Sequence, residues 1–284
     1  MTQNTRMEAL SPEEMAVKAE RAGIRKASAP AVDLFLLAIL AGVYIGLGAV
    51  FATTVAAGAA GVLSYGVTKL LTGLVFCLGL ILVVVGGAEL FTGNSLIAIA
   101  LASGKISLTG LLRNWGIVYL GNFIGSVGLA AIMFLTGQYL FAGGLVGQTA
   151  LSIANGKLGF DVVQAIALGV MCNILVCLAV WLTFSARTTV GKISAILFPI
   201  TAFVAAGFEH SVANMYFIPI GLFIKDLDPS FASQAAFALN LHFDELTWGH
   251  FLLNNLLPVT IGNIIGGSVF VGLLYWMIYL RKRP

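Results

Sequence analysis

A short polar stretch, Gly207-Phe208-Glu209-His210-Ser211-Val212-Ala213-Asn214, interrupts the apolar sequence between residues 193 and 224. With its apolar flanks it exceeds the roughly 20 residues that a straight helix needs to span a bilayer. A second over-long apolar segment, residues 70–102, has a similar centre, Gly87-Ala88-Glu89-Leu90-Phe91-Thr92-Gly93-Asn94. Both centres follow the pattern G-x-E-x-x-x-x-N. Two broken spans of this kind predict a substrate site at the midplane of a membrane transporter.

The overall composition indicates an all-α polytopic membrane protein. The 284 residues are 59% hydrophobic and only 10% charged, and the mean hydropathy is +1.00, whereas soluble domains are about a quarter charged. The net charge of +3 is not concentrated in a soluble domain, so we expect no nucleic-acid partner. We find no metal-ligand spacing and no nucleophile–base pattern, and therefore expect no metal, no other cofactor and no enzymatic activity.

The apolar runs predict six spans within a channel domain at residues 31–280. The spans lie at about Ala31–Thr54, Lys69–Ala102, Leu111–Leu135, Phe160–Phe184, Ile193–Ile224 and Phe251–Leu280. Residues 1–30 form a predicted cytoplasmic leader, in which a capping box at Ser11 begins a helix that reaches about Ile24. That helix is predicted either to lie solvated or to act as a regulatory flap. A Gly-rich loop at 137–159, a polar loop at 225–247 and a tail at 281–284 complete the predicted organisation.

The distribution of basic residues predicts the orientation of the spans. An even number of spans puts both termini on one side of the membrane. Most Lys and Arg residues fall on that side, and only Lys69, Lys157 and Lys225 fall on the other. By the positive-inside rule both termini are cytoplasmic, which predicts a multi-pass protein of the bacterial cytoplasmic membrane.

An internal repeat relates the two halves, residues 31–137 and 160–280. One constant shift superposes the Gly, Glu and Asn of the two broken centres on each other. In the spans that follow, Gly121-Asn122-Phe123-Ile124-Gly125 resembles Gly262-Asn263-Ile264-Ile265-Gly266. Each half then has three crossings, an odd number, so the second half is predicted to be inverted relative to the first.

The two breaks predict an anion site between them. A broken helix exposes free N–H groups and the positive end of its dipole at the start of its second half. In an inverted repeat the second halves, which begin near Thr92 and Val212, point their positive ends at one region. We expect Glu89 and Glu209 to be structural, each capping or tethering freed N–H groups, because an open carboxylate would repel anions. Gly87, Gly207, Asn94 and Asn214 are likewise expected to shape the breaks.

The ionisable and apolar residues near the breaks are candidates for the transport path. His210 is the one histidine predicted in the hydrocarbon zone, and imidazole can change its charge near neutral pH and hand a proton to a weak-acid anion. The alternative is that His210 only hydrogen-bonds the broken backbone. Lys157 either concentrates anions at the outer mouth or is a solvated loop lysine. Candidates for the narrow apolar parts, for which ordinary packing is the alternative, are Phe76, Leu80, Leu90 and Phe203.

Four segments carry a family resemblance. Residues 87–94, 171–181, 206–214 and 258–266 together resemble the formate–nitrite transporter family, most closely its formate-channel branch. The resemblance implies an aquaporin-like protomer, a homopentamer with one pore per subunit, and monovalent anions as cargo. It also implies that the N-terminal helix covers the cytoplasmic mouth.

The resemblance assigns roles to single residues. It implies that His210 is the central pore histidine, that Thr92 approaches it, that Lys157 and Asn173 lie on the outer approach, and that the four apolar candidates form the constrictions. The first break reads F-T-G-N, as in nitrite and hydrosulfide members of the family. We therefore predict formate transport, by a channel or with protons, and keep nitrite, hydrosulfide and acetate as alternative cargo. A neutral-solute channel of aquaporin type is the second alternative.

Overall fold

The computed structural model describes residues 9–281, and most of them lie in helices. The helices are α1 Pro12–Ala27, α2 Ala31–Ala56, α3 Tyr65–Gly86, α4 Phe91–Ala102, α5 Leu108–Leu135, α6 Leu145–Leu158, α7 Val162–Ser185, α8 Thr189–Ala205, α9 Ser211–Leu227, α10 Pro229–Leu239 and α11 Trp248–Tyr279. Within the described range, five of them (α2, α3, α5, α7 and α11) are long and apolar enough to cross a membrane. The first eight residues of the predicted leader and residues 282–284 of the predicted tail lie outside the described residues.

Each over-long apolar segment consists of two helices joined by a short extended link. The first helix of each pair ends at a glycine in the left-handed region, Gly87 with φ 84° and Gly207 with φ 75°. Glycine adopts this conformation without the steric cost of a Cβ atom. The next residue folds back over the helix end, since Ala88 N donates to Val83 O (2.9 Å) and Phe208 N donates to Phe203 O (3.0 Å).

The helix contacts recur in the same order in the two halves of the chain. In the first half α2 packs against α3 and α5, and in the second half α7 packs against α8 and α11. The helix that follows each break crosses to the other half, because α4 contacts α11 and α9 contacts α5. The two breaks are thereby brought together in the middle of the molecule.

The glycines of the repeated G-N-x-I-G segments allow the closest helix contacts. A Cβ atom on Gly125 of α5 would lie 2.1 Å from Ile39 O of α2, and one on Gly266 of α11 would lie 2.3 Å from Val170 O of α7. The glycine at the start of each segment also meets the backbone of the neighbouring helix. The spacing of four residues puts both glycines on one helix face, as close packing in apolar surroundings requires.

The N-terminal helix packs against the bundle. Ser11 Oγ accepts from Glu14 N (3.3 Å) while Glu14 Oε2 accepts from Ser11 N (2.9 Å), so the predicted capping box is present. The helix continues to Ala27. Its buried face includes Met15, Ala16 and Ala19 and contacts α4, α7 and α11. The solvated alternative is therefore wrong.

Two segments predicted as loops contain helices. The predicted Gly-rich loop at 137–159 begins with a single 3-10 turn, Gln138–Leu140, and then forms α6; the polar loop at 225–247 contains α10. The glycines before α6 act as a turn, because Gly143 and Gly144 both have positive φ. The residues after them supply small apolar side chains, such as Ala154 against Gly221 of α9. Lys157 thus lies on a helix instead of a loop.

We expect Gly125→Ala to destabilise the protein by about 1–3 kcal/mol or more, because its methyl group overlaps the α2 backbone. Gly128→Ala is the matched control one turn further along α5, where an added Cβ meets nothing within 4 Å. Thermal unfolding of the two purified variants in detergent, followed by tryptophan fluorescence, measures the difference. Equal unfolding temperatures would contradict the close approach of α2 and α5.

Candidate functional site

Two cavities lie one after the other along α3. The first, of about 250 Å³, lies under α1 and is lined by residues that include Ala19, Lys26, Leu80, Glu89 and Leu90; we call it the α1 cavity. The second, of about 400 Å³, lies beside α6 and is lined by residues that include Lys69, Phe76, Lys157, Phe203, Glu209 and His210; we call it the α6 cavity. Because α3 lines both cavities, a path from one cavity to the other would run along this helix.

Four apolar side chains stand between the cavities. Phe76 lines the α6 cavity and Leu80 lines the α1 cavity, although they are only one helical turn, about 6 Å, apart on α3. The Phe76 ring packs edge-on against Phe203, with 5.7 Å between the ring centroids. Leu90, in the first break, lines the α1 cavity together with Leu80. All four residues are at most 3% exposed; we call this group the apolar seal.

One polar contact joins the two breaks at the seal. Thr92 Oγ1 lies 3.0 Å from His210 Nε2, and both side chains are buried. His210 Nδ1 accepts from Ala213 N (2.9 Å) and so caps α9. Since a backbone N–H can only donate, a neutral imidazole here carries its proton on Nε2 and donates it to Thr92 Oγ1. The Thr92 hydroxyl proton then remains available to a third group.

A buried asparagine stabilises each break. Asn122 Oδ1 accepts from Phe91 N (2.9 Å), while its amide donates to Ala38 O (2.7 Å) and Glu89 O (3.0 Å). These bonds satisfy the peptide groups on both sides of Leu90. The extended backbone of the first break is thereby fastened to both α5 and α2.

The second break has the same arrangement. Asn263 Oδ1 accepts from Ser211 N (2.9 Å), while its amide donates to Gly169 O (2.8 Å) and Glu209 O (2.9 Å). Asn263 therefore binds the peptide groups on both sides of His210, as Asn122 does for Leu90. The position of the imidazole depends on this asparagine.

A lysine, a glutamate and two asparagines form a network beside the α1 cavity. Lys26 Nζ donates to Glu89 Oε2 (2.9 Å) and to Asn94 Oδ1 (2.8 Å). Asn94 in turn donates to Glu89 Oε2 and to Asn114 Oδ1, both at 2.9 Å. Asn114 closes the network by donating to Lys26 O (2.9 Å). Lys26 comes from α1, so the N-terminal helix supplies one of the charges of the site.

A matching network lies beside the α6 cavity. Lys157 Nζ donates to Glu209 Oε1 (2.7 Å), and Asn214 donates to Glu209 Oε2 (2.6 Å) and Asn255 Oδ1 (2.7 Å). Asn255 donates back to Lys157 O (2.7 Å). The connectivity repeats that of the first network with two differences. Asn255 also donates to Glu209 Oε2 (3.4 Å), and Asn214 Oδ1 has no hydrogen-bond partner within the described part of the chain.

The networks correct two predictions. Within residues 9–281, neither Glu89 nor Glu209 accepts a hydrogen bond from the backbone of its break; their carboxylates bind lysine and asparagine side chains instead. The amides of Asn122 and Asn263 do the capping that was predicted for the glutamates, because a neutral amide can both donate and accept. Lys157 is not solvated, since its side chain is 16% exposed and paired with Glu209. Each lysine cancels the charge of its glutamate.

Asn173 is not on the outer approach as predicted. It lies fully buried on α7, and its amide donates to Asn263 O (2.6 Å), Ser95 Oγ (3.1 Å) and Thr92 O (3.2 Å). It lines neither the α1 cavity nor the α6 cavity. Asn173 therefore ties the first helical turns of α4 to α7 and α11.

Basic residues gather beside the α1 cavity without lining it. Lys18 Nζ donates to Phe184 O at the end of α7 (2.8 Å). Burial of this ammonium, with Lys192, Arg187 and Arg25 nearby, lowers the pKa of Lys18. The positive charges also lie near the carbonyl end of α7, where the helix dipole favours cations.

Sequence reasoning missed three polar residues of the networks: Lys26, Asn114 and Asn255. A signal for the asparagines was present, because the shift that superposes Asn122 on Asn263 also superposes Asn114 on Asn255. No comparable signal marks Lys26, which reads as an ordinary basic residue in the last turn of a surface helix. In the sequence, Asn122 and Asn263 stand out only as part of the repeat.

We expect Asn263→Ala to destabilise the protein by several kcal/mol, because it leaves buried peptide groups without partners and each costs about 1–3 kcal/mol. Gln164→Ala, at an exposed position on α7, is the control and should leave stability unchanged. Unfolding temperatures of both variants in detergent test this expectation. A stable Asn263→Ala protein would show that the break does not need its amide.

Known proteins resemble this chain in sequence and in fold. A family model described as "Formate/nitrite transporter" matches residues 13–277. The sequence is 45% identical over 275 residues to "Formate channel FocA" of Escherichia coli (strain K12), covering 96% of each chain. It is 41% identical to "Probable formate transporter" of Methanothermobacter thermautotrophicus over 272 residues, which cover 90% of this chain and 92% of the relative.

A solved structure described as "Pentameric formate channel with formate bound" superposes with a TM-score of 0.81 at 50% sequence identity, covering 88% of this chain and 98% of the other. A second, described as "FNT family ion channel", gives a TM-score of 0.76 at 31% identity over 94% of this chain and 98% of the other. The family model and the relatives span almost the whole sequence, so the resemblance is not confined to one motif. The chain belongs to the formate/nitrite transporter family.

Proposed function

We propose that this protein carries formate across the bacterial cytoplasmic membrane, through one pathway in each protomer of a homopentamer. The observation that carries the proposal is the pair of cavities separated by an apolar seal, with the Thr92–His210 contact at the seal and a Lys–Glu pair beside each cavity. The similarity to proteins named formate channels supports formate as the anion. Nitrite, hydrosulfide and acetate remain alternative cargo of the same path.

The path determines in which form the anion crosses. Formate entering the α6 cavity first meets water and ammonium groups, then the rings of Phe76 and Phe203. Moving a bare carboxylate into a small apolar space costs far more than moving the neutral acid, because the charge loses its hydration. We therefore propose that formate accepts a proton at the seal, crosses as formic acid and releases the proton in the α1 cavity.

His210 is the proposed proton donor. In the resting ring Nδ1 is occupied by Ala213 N–H, so the ring becomes an imidazolium only if Nδ1 leaves this hydrogen bond and takes up a proton. The Nε2 proton can then pass to formate by one of two routes. Either the carboxylate displaces the Thr92 hydroxyl and accepts the proton directly, or it hydrogen-bonds to that hydroxyl, which relays the proton. Proton uptake is thus coupled to the cap of α9, which keeps the ring neutral while no anion is present.

The proposed topology has six crossings in two inverted repeats, with the spans around the breaks formed by α3 with α4 and by α8 with α9. The repeated helix contacts and the matching hydrogen-bond networks support it. In this aquaporin-like arrangement both termini are cytoplasmic, so α1 covers the inner mouth and the α6 cavity faces outward. The positive ends of α4 and α9 then point at the seal from opposite sides.

We expect purified protein in liposomes to take up labelled formate faster than protein-free liposomes, with uptake increasing as the external pH is lowered. Competition by unlabelled nitrite, hydrosulfide and acetate ranks the cargo. Stronger inhibition by nitrite or hydrosulfide than by unlabelled formate would show that one of those anions is the preferred cargo. Uptake of a neutral solute such as glycerol, without any anion flux, would favour a channel of aquaporin type.

We expect His210→Asn to reduce proton-coupled formate uptake by about a hundredfold. Asparagine is a good N-cap residue and can still accept from Ala213 N–H, so the fold is preserved while the proton carrier is lost. His242→Asn, at an exposed position beyond α10, is the control. If His210→Asn retained both the rate and its pH dependence, the histidine would not be the proton donor.

A further inference from the structure

The charges that line the two cavities are not equivalent. The charged groups lining the α1 cavity are Lys26 and Glu89, and they form an ion pair. The α6 cavity is lined by Lys69 in addition to the ion pair of Lys157 and Glu209. Within the described part of the chain, Lys69 has no carboxylate partner. Among the charged residues that line the two cavities, Lys69 is therefore the one without an opposite charge paired with it.

Lys69 belongs to a stripe of residues along α3 that follows the path. Lys69, Thr72 and Phe76 line the α6 cavity, and Leu80 and Val83 line the α1 cavity. These positions are three or four residues apart and so lie on one helix face. Lys69 is the outermost of them, about 10 Å along the axis from Phe76.

The Lys69 ammonium is held near the mouth of the cavity. Its Nζ lies 5.5 Å from the ring centroid of Tyr65, one turn earlier on α3. A cation–π contact positions an ammonium without neutralising it and leaves N–H donors free for an anion. By contrast, Lys157 lies deeper, on a carboxylate that already accepts its hydrogen bond.

We propose that Lys69 is the residue that captures the transported anion at the mouth of the α6 cavity. The inference rests on the proposed function, because it concerns the same path. A single positive charge at the rim of a low-dielectric cavity raises the local concentration of anions. It acts before the seal, so it affects binding and not the proton step.

The test compares three variants, with the protein facing formate from either side of the membrane. Lys69→Met removes the charge and keeps an unbranched side chain, Lys69→Arg keeps the charge, and Lys105→Met removes an exposed lysine that lines neither cavity. Initial rates of labelled formate uptake are measured in spheroplasts and in inside-out membrane vesicles at several formate concentrations. The amount of each variant in the membrane is determined in parallel.

For Lys69→Met we expect the apparent KM to rise about threefold to tenfold on the α6 side at an ionic strength near 10 mM, and the difference to vanish near 0.5 M salt. The maximum rate on the α6 side and the apparent KM on the α1 side should stay unchanged. The maximum rate from the α1 side should fall by the same factor, because net flux must vanish when formate, pH and potential are equal on the two sides. Lys69→Arg and Lys105→Met should behave like the original protein.

An unchanged apparent KM in Lys69→Met, or an equal loss in Lys69→Arg, would overturn the inference. The first result would show that the charge is not used, and the second that the shape of the side chain matters instead. Failure of the proposed function would look different, because the original protein would then carry no formate. If it carried nitrite instead, the same variants and salt series measured with nitrite would test Lys69 independently.

Discussion

Peptide groups that leave a helix in the apolar interior of a membrane protein must find hydrogen-bond partners within the protein. Each of the two breaks of this chain meets that requirement with a buried asparagine. Its side chain accepts a hydrogen bond from the first residue of the helix that follows the break and donates to two carbonyl groups. The helices carrying these asparagines approach their neighbours closely through glycine. Packing and hydrogen bonding therefore depend on each other, and both hold Leu90 in the seal and His210 beside it.

The same constraint explains how charges are tolerated so close to the seal. A buried carboxylate or ammonium alone would be too costly, but each Lys–Glu pair is surrounded by asparagine amides that complete its hydrogen bonds. The pairs bring no net charge to the cavities. Beside the seal, beyond the proposed capture by Lys69, an anion would thus meet the lysine donors of neutralised pairs, which suits a path that must release its cargo as well as bind it.

Much of this organisation is readable in the sequence, because the features involved are local. An apolar run that is too long, a glycine and a polar cluster predict a helix break, and the helices do separate at residues 87–90 and 206–210. The partners of Glu89 and Glu209 are predicted wrongly because the backbone is nearest in sequence. The actual partners are side chains of α1 and α4 for Glu89, and of α6, α9 and α11 for Glu209. Asn173 was misplaced for a related reason: a polar residue in an apolar helix can face a cavity or a neighbouring backbone, and only the packing decides between them.

The central claim is that formate crosses the seal as the neutral acid, and the stoichiometry of proton movement tests it most directly. Proteoliposomes containing a pH-sensitive dye are given a formate gradient, with protein-free liposomes subtracted to remove diffusion of formic acid through the lipid. The account predicts that the interior acidifies by one proton for each labelled formate taken up, and that a potassium ionophore that dissipates the membrane potential does not change the rate. Formate uptake that requires the ionophore and leaves the internal pH unchanged would contradict the account, because the anion would then cross with its charge.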